Sequence, residues 1–457
     1  MKNKKTGTKY VTDQQQKLKT NLKQKPKKTW FQKARQKIVE ISFTGGNISS
    51  DGGILLLKAA DDKLKLTQKI ADILPDDRQA SKIKHSLLSI LKQRIYGIAL
   101  GYEDLNDHQH LRKDLAFQTA VGREEVLASD STLCRFEKTA ERKTMVEIHN
   151  VLIEQFIDSY EKPPYKIILD FDATDDTVHG NQEKSAYNGY YGNYCFLPLY
   201  VFCGHHLLTA YLRQSNQDGA KHSWAILALL VKKIRKEWPE TKIIVRGDSG
   251  FCRPKTLRWC ERNAVKYVIG MGKNKVLLCL AEPYICKAKT AFDHTQEKQR
   301  IFGEIQYGAK SWGQERRIIV KAEHLEKGSN TRFVVTTLDD EAQSLYDDWY
   351  CARGDMENRI KEQKLDMFSD RTSCHKWWSN QLRILLSGIA YSLVSYIRSA
   401  ALKGSQFAKA QVGTIRLKLL KIGTVVIRST RRIRFLMPSA YPYQEDFLTA
   451  LARLTPV

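Results

Sequence analysis

The sequence predicts an α/β protein in which a mainly helical N-terminal part precedes a core of buried strands, and a β-rich insertion interrupts that core. Apolar residues repeat at helical spacing up to about residue 160, and near Lys166 they change to short continuous runs. These runs alternate with helical patterns in the order three strands, helix, strand, helix, strand, which favours a buried sheet. A second β-rich region then separates this core from two further helical patterns.

The N-terminal half divides into two parts. Residues 1–40 are rich in Lys, Gln and Thr and poor in apolar residues, which predicts a basic, disordered tail. Residues 41–160 predict a helical DNA-binding domain. Within it, "SSDGGILLLKAADDKL" offers Ser and Asp caps before an apolar run, and "SKIKHSLLSILKQRIYGIALG" keeps helical spacing up to a glycine.

One stretch of this domain, "EVLASDSTLCRFEKTAERK", suits a helix, a short turn and a second helix capped near Ser129 to Ser131. Arg135, Lys138, Arg142 and Lys143 would then be available to bind phosphates. The same string also suits any two packed helices, so base recognition by this pair stays an open alternative.

The rest of the chain divides into four segments. Residues 161–275 predict the first part of the α/β core, and residues 276–344 predict the β-rich insertion, with hairpin strands in "QRIFGEIQYGA", "RRIIVKAEHL" and "TRFVVTTL". Residues 345–402 predict the second part of the core, which contains a long apolar helix over 379–402. Residues 403–457 form a basic C-terminal segment.

The charge of the chain points to a polyanion as its partner. The net charge is +25, and it is concentrated in two places: residues 2–40 carry 13 basic and 2 acidic residues, and residues 403–434 carry 9 basic and no acidic residues. Two basic blocks at opposite ends of a folded chain are typical of a nucleic-acid-binding protein. Anionic lipid is the weaker alternative because the C-terminal block lacks the apolar face of a membrane helix.

Several classes of protein are disfavoured. No apolar run reaches the ~20 residues of a membrane span, and the Lys-rich start has no apolar core typical of a signal peptide. Nine cysteines without a CxxC pair indicate reduced thiols rather than a disulfide framework. We therefore expect a cytoplasmic location and no membrane partner.

Two strand ends carry carboxylates that could do chemistry. In "KIILDFDAT" the side chains alternate, so Ile168, Asp170 and Asp172 face one way and Ile167, Leu169 and Phe171 face the other. Asp248 ends the apolar run "IIVRGDSG" in the same manner. A buried carboxylate is costly unless a positive charge compensates it, and a divalent cation is one common compensation. Each Asp could instead merely cap a turn.

A predicted helix, "YCARGDMENRIKEQK", adds a polar stripe. At ~100° per residue, Tyr350, Arg353, Glu357, Lys361 and Lys364 share a sector of roughly 80°, and the apolar side chains that anchor the helix to the core lie beside them. Surface ion pairs at i,i+4 would explain the charges but not the tyrosine. Gly354, which costs ~1 kcal/mol inside a helix, predicts the close approach of another backbone.

Two enzymatic interpretations compete for these residues. "DFDAT" resembles the nucleophile motif of haloacid-dehalogenase-type phosphatases, with Asp170 as the nucleophile and Asp172 as the acid/base, but the second acid expected after Gly247-Asp248 is missing. The alternative is a phosphoryl-transfer site in which Asp172, Asp248 and Glu357 hold two Mg²⁺ ions ~3.5–4 Å apart. Oxygen ligands suit such hard cations.

The second interpretation agrees with a family resemblance. The chain resembles the DDE transposases of bacterial insertion sequences, whose last motif reads YxxRxxxExxxxxxK, and Tyr350, Arg353, Glu357 and Lys364 match every position. Asp172, followed by Ala173-Thr174, resembles the first catalytic Asp, with Asp170 as the open alternative, and Asp248 resembles the second. The stretches "NGYYGNYCFLPLY" and "DRTSCHKWWSNQLRILLSGIAYSL" fit as well, and the resemblance spans about residues 41–450.

The resemblance implies a ribonuclease-H-like mixed sheet with flanking helices and a β-rich insertion. It implies catalytic and metal-binding roles for Asp172, Asp248 and Glu357 with Mg²⁺ or Mn²⁺, and DNA-binding roles for Tyr350, Arg353 and Lys364, with Lys361 beside them. It further implies double-stranded DNA as the partner, namely terminal inverted repeats and target DNA, and a homodimer at the bacterial nucleoid.

The non-enzymatic alternative is a domesticated, catalytically silent DNA-binding protein. Trp312 in the insertion is expected either to stack on a distorted base or to lie in the core.

Overall fold

The computed structural model describes residues 29–34 and 37–455, with side chains from residue 39 onward. Its central feature is one mixed sheet of nine strands, to which three small sheets are added. The strands of the described chain, in order, are β1 (Thr29–Ala34), β2 (Lys37–Ile41), β3 (Ile48–Ser49), β4 (Lys166–Ala173), β5 (Asp176–Thr177), β6 (Ala186–Asn188), β7 (Asn193–Phe196), β8 (Leu199–Cys203), β9 (His206–Tyr211), β10 (Lys242–Gly247), β11 (Lys266–Met271), β12 (Gln299–Tyr307), β13 (Arg316–Leu325), β14 (Gly328–Ser329), β15 (Arg332–Thr336), β16 (Thr424–Arg428) and β17 (Ile433–Leu436).

The helices of the described chain surround this sheet. The α-helices are α1 (Ile54–Leu64), α2 (Leu66–Ile73), α3 (Leu87–Ala99), α4 (His108–Leu111), α5 (Leu115–Val121), α6 (Asp130–Lys138), α7 (Arg142–Asp158), α8 (Ser223–Glu237), α9 (Pro254–Arg262), α10 (Lys275–Leu280), α11 (Glu282–Thr295), α12 (Ala342–Ser344), α13 (Gly354–Lys361), α14 (Trp377–Tyr396), α15 (Val412–Ile415) and α16 (Gln444–Leu454). Short 3₁₀ turns lie at Ala80–Lys82, Ser249–Phe251 and Cys351–Arg353, and π-helical turns lie at Leu345–Tyr350, Glu362–Asp366, Ile397–Ala401 and Arg416–Leu420.

Five neighbouring strands of the sheet form the predicted core, in the order β9-β8-β4-β10-β11. β8 and β9 pair antiparallel in a meander that continues from β4, whereas β10 pairs parallel with both β4 and β11. The helices α8 and α9 make the connections to the two parallel strands, as parallel pairing requires. The ribonuclease-H-like mixed sheet predicted from the sequence is thus present, with every predicted core strand in place.

The insertion extends this sheet instead of forming a separate one. β15 pairs antiparallel with β11, β13 pairs with β15, and β12 pairs with β13, so the sheet grows outward from the core edge. The three predicted insertion strands are confirmed, but the helices α10 and α11 before them were missed. Trp312 is only 4% exposed and packs against the ring of Tyr307, so the base-stacking expectation for it is wrong and the core expectation is right.

The helices of the N-terminal part share a core with the C-terminal segment. Apolar residues of α1, α3, α14 and α16 belong to one buried cluster, and β3 pairs with β16. Helix α6 begins after Ser129, whose side chain accepts a hydrogen bond from the Thr132 amide, as predicted, but the turn to the next helix follows Lys138. Of the tail predicted as disordered, residues 1–28 and 35–36 lie outside the described chain, while β1 and β2 form an antiparallel ladder that was not predicted.

The helix Trp377–Ala401 is long and apolar enough, by length and composition, to cross a membrane. However, 72% of its most apolar window is buried inside the protein. It contacts α3 and the edge strand β9 and supplies many side chains of the shared core. Its apolar character is therefore that of a central core helix.

The two faces of the sheet are covered by different helices, as the alternation in β4 predicts. Ile167, Leu169 and Phe171 are buried in the core that includes α8 and α9. Ile168 and Asp170 lie on the opposite face, where a second cluster forms beneath a helical stretch that comprises residues 342–366 and that we call the motif helix. The carboxylates thus face the motif helix.

The motif helix is not a uniform α-helix. It passes from α12 through a π turn and a 3₁₀ turn into α13, and it ends in a second π turn. Leu345 near its start is buried against the sheet face, whereas Met356 and Ile360 are buried in the core shared by the N- and C-terminal helices. The motif helix therefore joins the sheet to the helical core, which fixes its position relative to both.

A buried ion pair beneath the motif helix connects two strands to it. Arg246 on β10 is the register partner of Asp170 on β4, and Arg246 Nη2 donates to Asp170 Oδ2 at 2.8 Å. Nε of the same guanidinium donates to Asp170 Oδ1, and Nη1 donates to the carbonyl of Trp349 at 2.7 Å. The two charged side chains are only 8% and 7% exposed. One arginine therefore holds β4, β10 and the motif helix together.

A second buried carboxylate lies in the loop region beyond β4. Asp176 is 1% exposed, its Oδ2 accepts a 2.6 Å hydrogen bond from Thr372, and its Oδ1 has no partner among the described residues. Burial raises the pKa of Asp176 to about 7; the hydrogen bond from Thr372 and the charge of Lys364 oppose the rise, and Asp370 and Asp175 add to it. The ionised form of this side chain is therefore costly in the folded protein.

Replacing Asp170 with Ala should destabilise the protein by ~3–5 kcal/mol because Arg246 would be left buried without its counter-charge. The measurement is urea unfolding followed by circular dichroism. Asp158→Ala is the matched control, since it breaks the exposed Lys69–Asp158 pair, whose side chains are 37% and 58% exposed. We expect the control to cost under ~1 kcal/mol. Equal costs for the two variants would contradict the proposed role of Asp170.

Replacing Asp176 with Asn should stabilise the protein at high pH only. Because the native carboxyl has the higher pKa, unfolding releases a proton between about pH 4 and pH 7, and wild-type stability falls as the pH rises through that window. The amide keeps an acceptor for Thr372 but carries no charge. We expect a higher Tm for Asp176→Asn at pH 8, equivalent to on the order of 2–4 kcal/mol, and little difference at pH 4. A difference of the same size at both pH values would exclude this explanation.

Candidate active site

The two predicted aspartates lie side by side at the carboxyl ends of parallel strands. In the β4–β10 ladder, Gly247 is the register partner of Phe171. Asp248 and Asp172 are each the next residue along the chain, and neighbouring strands lie ~4.8 Å apart. The parallel register therefore brings together Asp172 and Asp248, which are 76 positions apart in the sequence. We call this end of the two strands the acidic edge.

Asp248 also performs the simple role that was its alternative interpretation. Its Oδ1 accepts a 2.8 Å hydrogen bond from the Gly250 amide and caps the 3₁₀ turn that follows the strand. Its Oδ2 accepts no hydrogen bond from the described residues. The cap fixes the orientation of the carboxylate and leaves one oxygen for a ligand.

The motif helix places its polar side chains over this acidic edge. A solvent-open cavity of about 430 Å³ lies between them. Its walls are formed by Asp172, Ala173, Thr174, Asp248, Arg353, Glu357, Ile360, Lys361, Lys364 and Leu365. Six of the seven predicted site residues thus line one cavity, and they come from three distant parts of the sequence.

Arg353 is the central cation of this cavity. Its Nη1 lies 3.3 Å from Asp172 Oδ2, and its Nη2 lies 2.5 Å from Glu357 Oε1. Burial raises the pKa of Asp172 to about 6, an increase that Arg353 opposes and that the charges of Asp248 and Glu357 reinforce. The three carboxylates are therefore close enough to repel one another, and the cavity needs positive charge.

The donor set fits a divalent cation. All three acids supply hard oxygen ligands, and Glu357 is half-exposed, so it can rotate towards the aspartates. As the side chains stand, no group of three His, Cys, Asp or Glu side chains among the described residues is placed to hold a metal ion. The Arg353 guanidinium supplies the positive charge between Asp172 and Glu357 in this arrangement.

The ring of Tyr350, on the motif helix, packs against the end of β11. A side chain on Gly270 would place its Cβ 2.5 Å from the Tyr350 hydroxyl oxygen, so glycine leaves the space that this ring occupies. Burial raises the pKa of Tyr350, Arg353 lowers it, and the charge of Asp248 raises it. Tyr350 therefore lies beside Asp248 and Arg353, outside the cavity wall itself. Gly270 was not predicted, since a glycine near a strand end gives no distinct signal.

Lys364 is held by Asp175, which the sequence analysis did not name, and by Thr174, which it named only as part of the motif after Asp172. Its Nζ donates to Asp175 Oδ1 at 3.0 Å, to the Asp175 carbonyl at 2.9 Å and to Thr174 Oγ1 at 3.2 Å. Both partners follow directly after Asp172 in "DATDD", and this acidic run was the available signal. Lys361 is exposed and lines the cavity.

The alternatives that used Asp170 do not fit this geometry. Both oxygens of Asp170 accept hydrogen bonds from Arg246, and the residue is 5% exposed. It therefore cannot approach a substrate as the nucleophile of a phosphatase, nor does it line the cavity as a metal ligand. Asp172 is the strand residue that faces the site.

The prediction made from Gly354 is wrong. A Cβ on this residue would meet nothing within 4 Å in the described chain, so no backbone approaches it there. Gly354 has an ordinary helical φ of −53° and starts α13 directly after the 3₁₀ turn. The change of helix type at this point, which a uniform periodicity cannot predict, is its structural context.

Comparisons with known proteins identify the family of the chain. No curated protein matches the sequence. Among solved structures, the chain is similar to a piggyBac transposase in a synaptic complex with hairpin DNA, determined by cryo-electron microscopy, with a TM-score of 0.40 and 11% identity over 81% of this chain and 80% of that chain. The profile of the family described as "Transposase DDE domain group 1" matches residues 31–457. The chain therefore belongs to this family of DDE transposases, which are enzymes that act on DNA.

Proposed function

We propose that the protein cleaves DNA at the ends of an insertion sequence and transfers the freed 3′-OH into target DNA. The single observation that supports this most is that Asp172, Asp248 and Glu357 line one cavity together with Arg353 and Lys364. Carboxylates and phosphate-binding cations in one open cavity suit phosphoryl transfer. In the first step water attacks the phosphodiester at the 3′ end of the element and releases its 3′-OH. In the second step this 3′-OH attacks a target phosphodiester, forms the new ester bond and displaces the 3′-oxygen of the target strand.

DDE transposases generally use divalent metal ions, and we propose two Mg²⁺ ions, for which Mn²⁺ can substitute. Asp172, Asp248 and Glu357 would hold them. When bound, such ions activate the attacking oxygen and stabilise the leaving oxygen. Burial, reinforced by the charges of Asp248 and Glu357, raises the pKa of Asp172 to about 6, and the positive charge of the ions would favour its ionised form.

The cationic side chains have a separate role in this proposal. Arg353 offers a planar fork that matches two phosphate oxygens, and Lys364 offers a point charge. Tyr350 and the exposed Lys361 lie beside them. Together these residues would hold the phosphate next to the cut, while Thr174 and Asp175 keep Lys364 directed at the cavity.

Basic surfaces outside the cavity fit double-stranded DNA as the partner, and we propose terminal inverted repeats and target DNA as its two forms. Four side chains of the helix pair α6 and α7 are exposed: Arg135, Lys138, Arg142 and Lys143. Three more, Arg431, Arg432 and Arg434, are exposed at the β16–β17 hairpin. Two DNA ends must be joined in one reaction, so we propose that a homodimer acts on them, in the bacterial cytoplasm.

A catalytically silent DNA-binding protein is the second candidate, and the basic surfaces alone would suit it. The acidic cavity favours the enzyme, because a protein that only binds DNA gains nothing from carboxylates that repel phosphate. A metal-dependent nicking assay on DNA that carries the element ends separates the two candidates.

Replacing Glu357 with Gln should abolish cleavage in Mg²⁺ or Mn²⁺ while binding of end DNA stays within about twofold, because the amide keeps the shape but not the anionic ligand. Duplexes built from the DNA that flanks the gene serve as substrates, with nicking read on a denaturing gel. Asp355→Asn is the matched control, since Asp355 is exposed on the same helix and does not line the cavity. Cleavage retained by Glu357→Gln would refute the assignment of Glu357.

Binding of end DNA should weaken steeply as salt rises, because neutralised phosphates release counterions with a slope of about −0.9 per contact. The double variant Arg431→Ala/Arg432→Ala should reduce that slope by about 1 to 2. Fluorescence anisotropy across a range of salt concentrations measures both. A salt-independent affinity, or an unchanged slope in the variant, would remove the β16–β17 hairpin from the DNA contact surface.

A further inference from the structure

A hairpin rich in tyrosine lies next to the candidate active site and has no role in the account given so far. It comprises residues 186–196, with β6 and β7 as its strands, and we call it the tyrosine hairpin. Tyr187 and Tyr194 are register partners on its strands, and Tyr190 and Tyr191 form its tip. Four tyrosines within eight residues are far more than a solvent-facing hairpin needs.

Three of these rings are unusually exposed. Tyr190 is 89% exposed, Tyr194 is 61% exposed and Tyr187 is 55% exposed. Tyr190 contacts Tyr191 edge-on at 4.9 Å between ring centroids, and Tyr187 contacts Tyr194 edge-on at 5.6 Å. Because each pair meets edge to face, ring faces remain free. The hairpin therefore offers aromatic surface to a ligand.

The tip of the hairpin is held in a fixed shape. Asn188 Oδ1 accepts hydrogen bonds from the amides of Tyr190, at 2.9 Å, and Tyr191, at 3.3 Å. Gly192 has a φ of +69°, which closes the turn, and its amide donates to the Asn188 carbonyl at 2.8 Å. The Asn188 side chain also donates to the Ser215 carbonyl at 2.7 Å, which ties the tip to the body of the protein. The backbone of the tip is therefore ordered before any ligand binds.

The hairpin lies at the edge of the cavity. β7 pairs with β5, whose first residue, Asp176, follows Asp175 in the chain. Burial raises the pKa of Tyr191, and the charges of Asp175 and, less strongly, Asp172 add to this increase, so the ring is within electrostatic reach of both carboxylates. The pairing with β5 therefore places one end of β7 two residues from the cavity-lining Thr174, and the Tyr191 ring at the tip faces the carboxylates of the same region.

We propose that the tyrosine hairpin binds an unpaired nucleobase next to the cleaved phosphodiester, with the Tyr190 ring as the stacking surface. A base–aromatic stack is tolerant of sequence, because every base has a π face. Enzymes that act at a strand end often need bases out of the duplex, and an exposed ring can hold such a base. This inference rests on the proposed function, since it requires DNA in the adjacent cavity.

The surroundings favour nucleic acid over a protein partner for this surface. Arg353, Lys361 and Lys364 lie in the neighbouring cavity, so a DNA backbone there would meet cationic side chains. Aromatic rings beside cationic side chains that contact the backbone are a common feature of sites for single-stranded nucleic acid. A protein interface would call for a larger apolar patch, whereas tyrosines with free hydroxyl groups suit a wet ligand.

The test measures binding without cleavage, in buffer that contains EDTA. One probe is a duplex with a four-nucleotide single-stranded 3′ extension that carries 2-aminopurine, and the other is the same duplex with a blunt end. Tyr190→Ala should weaken binding of the extended probe by about 5- to 100-fold and should abolish the quenching of 2-aminopurine. Its affinity for the blunt probe should not change. Tyr190→Phe, which keeps the ring, should behave as wild type.

Tyr165→Ala is the matched control, because Tyr165 is 72% exposed but precedes β4, about 23 Å from Asp172 along the strand. Unchanged affinity of Tyr190→Ala for the extended probe, or an equal loss for both probes, would overturn the inference. A change of oligomeric state in size-exclusion chromatography, with DNA affinity unchanged, would assign the hairpin to a protein interface and also overturn it. Failure of wild type to cleave in Mg²⁺ would contradict the proposed function and leave this binding result interpretable.

Discussion

The structure depends on the fixed contact between the motif helix and the carboxyl ends of β4 and β10. Arg246 maintains it, because its guanidinium binds Asp170 on one strand, belongs to the next strand and donates to the Trp349 carbonyl on the helix. Together with the apolar packing of the motif helix, this link fixes the position of Glu357 relative to the aspartates, which lie more than 100 residues earlier in the chain. Since Arg246 and Asp170 are both nearly buried, the pair specifies position more than it adds net stability.

Two arginine–carboxylate pairs lie one above the other on this face of the sheet, and their environments give them different roles. The inner pair, Asp170–Arg246, is closed, because both carboxylate oxygens are used and almost no surface is exposed. The outer pair, Asp172–Arg353, is longer at 3.3 Å and opens onto the cavity. Its carboxylate can therefore exchange partners. The alternation of side chains along β4 explains how two acids only two residues apart come to serve as a structural anchor and a candidate ligand.

Much of this arrangement could be predicted because it follows from local patterns. Strand alternation placed Asp170 and Asp172 on the face opposite Phe171, and helical spacing brought Arg353, Glu357 and Lys364 to one side. The rest depends on features that a uniform period does not contain. The π and 3₁₀ turns alter the rotation between Tyr350 and Glu357, so Tyr350 lies beside the cavity wall rather than within it, and Gly354 marks a change of helix type. The helices α10 and α11 were missed because the β-rich runs after them dominated the pattern of that region.

The exposure of aromatic residues such as Trp312 and Tyr190 could not be predicted from the sequence without the fold. Ring size alone favours Trp312 over Tyr190 as a stacking residue. In the structure Trp312 is covered by Tyr307 and Arg316, whereas the Tyr190 ring projects from a capped turn and is 89% exposed. The two aromatic residues occupy different parts of the fold: the insertion strands extend the central sheet from β11, whereas the tyrosine hairpin belongs to a separate three-stranded sheet with β5. An exposed aromatic ring is a candidate DNA contact only where the fold places it near the active-site carboxylates, because a ring far from them would not meet the DNA strand that is cleaved.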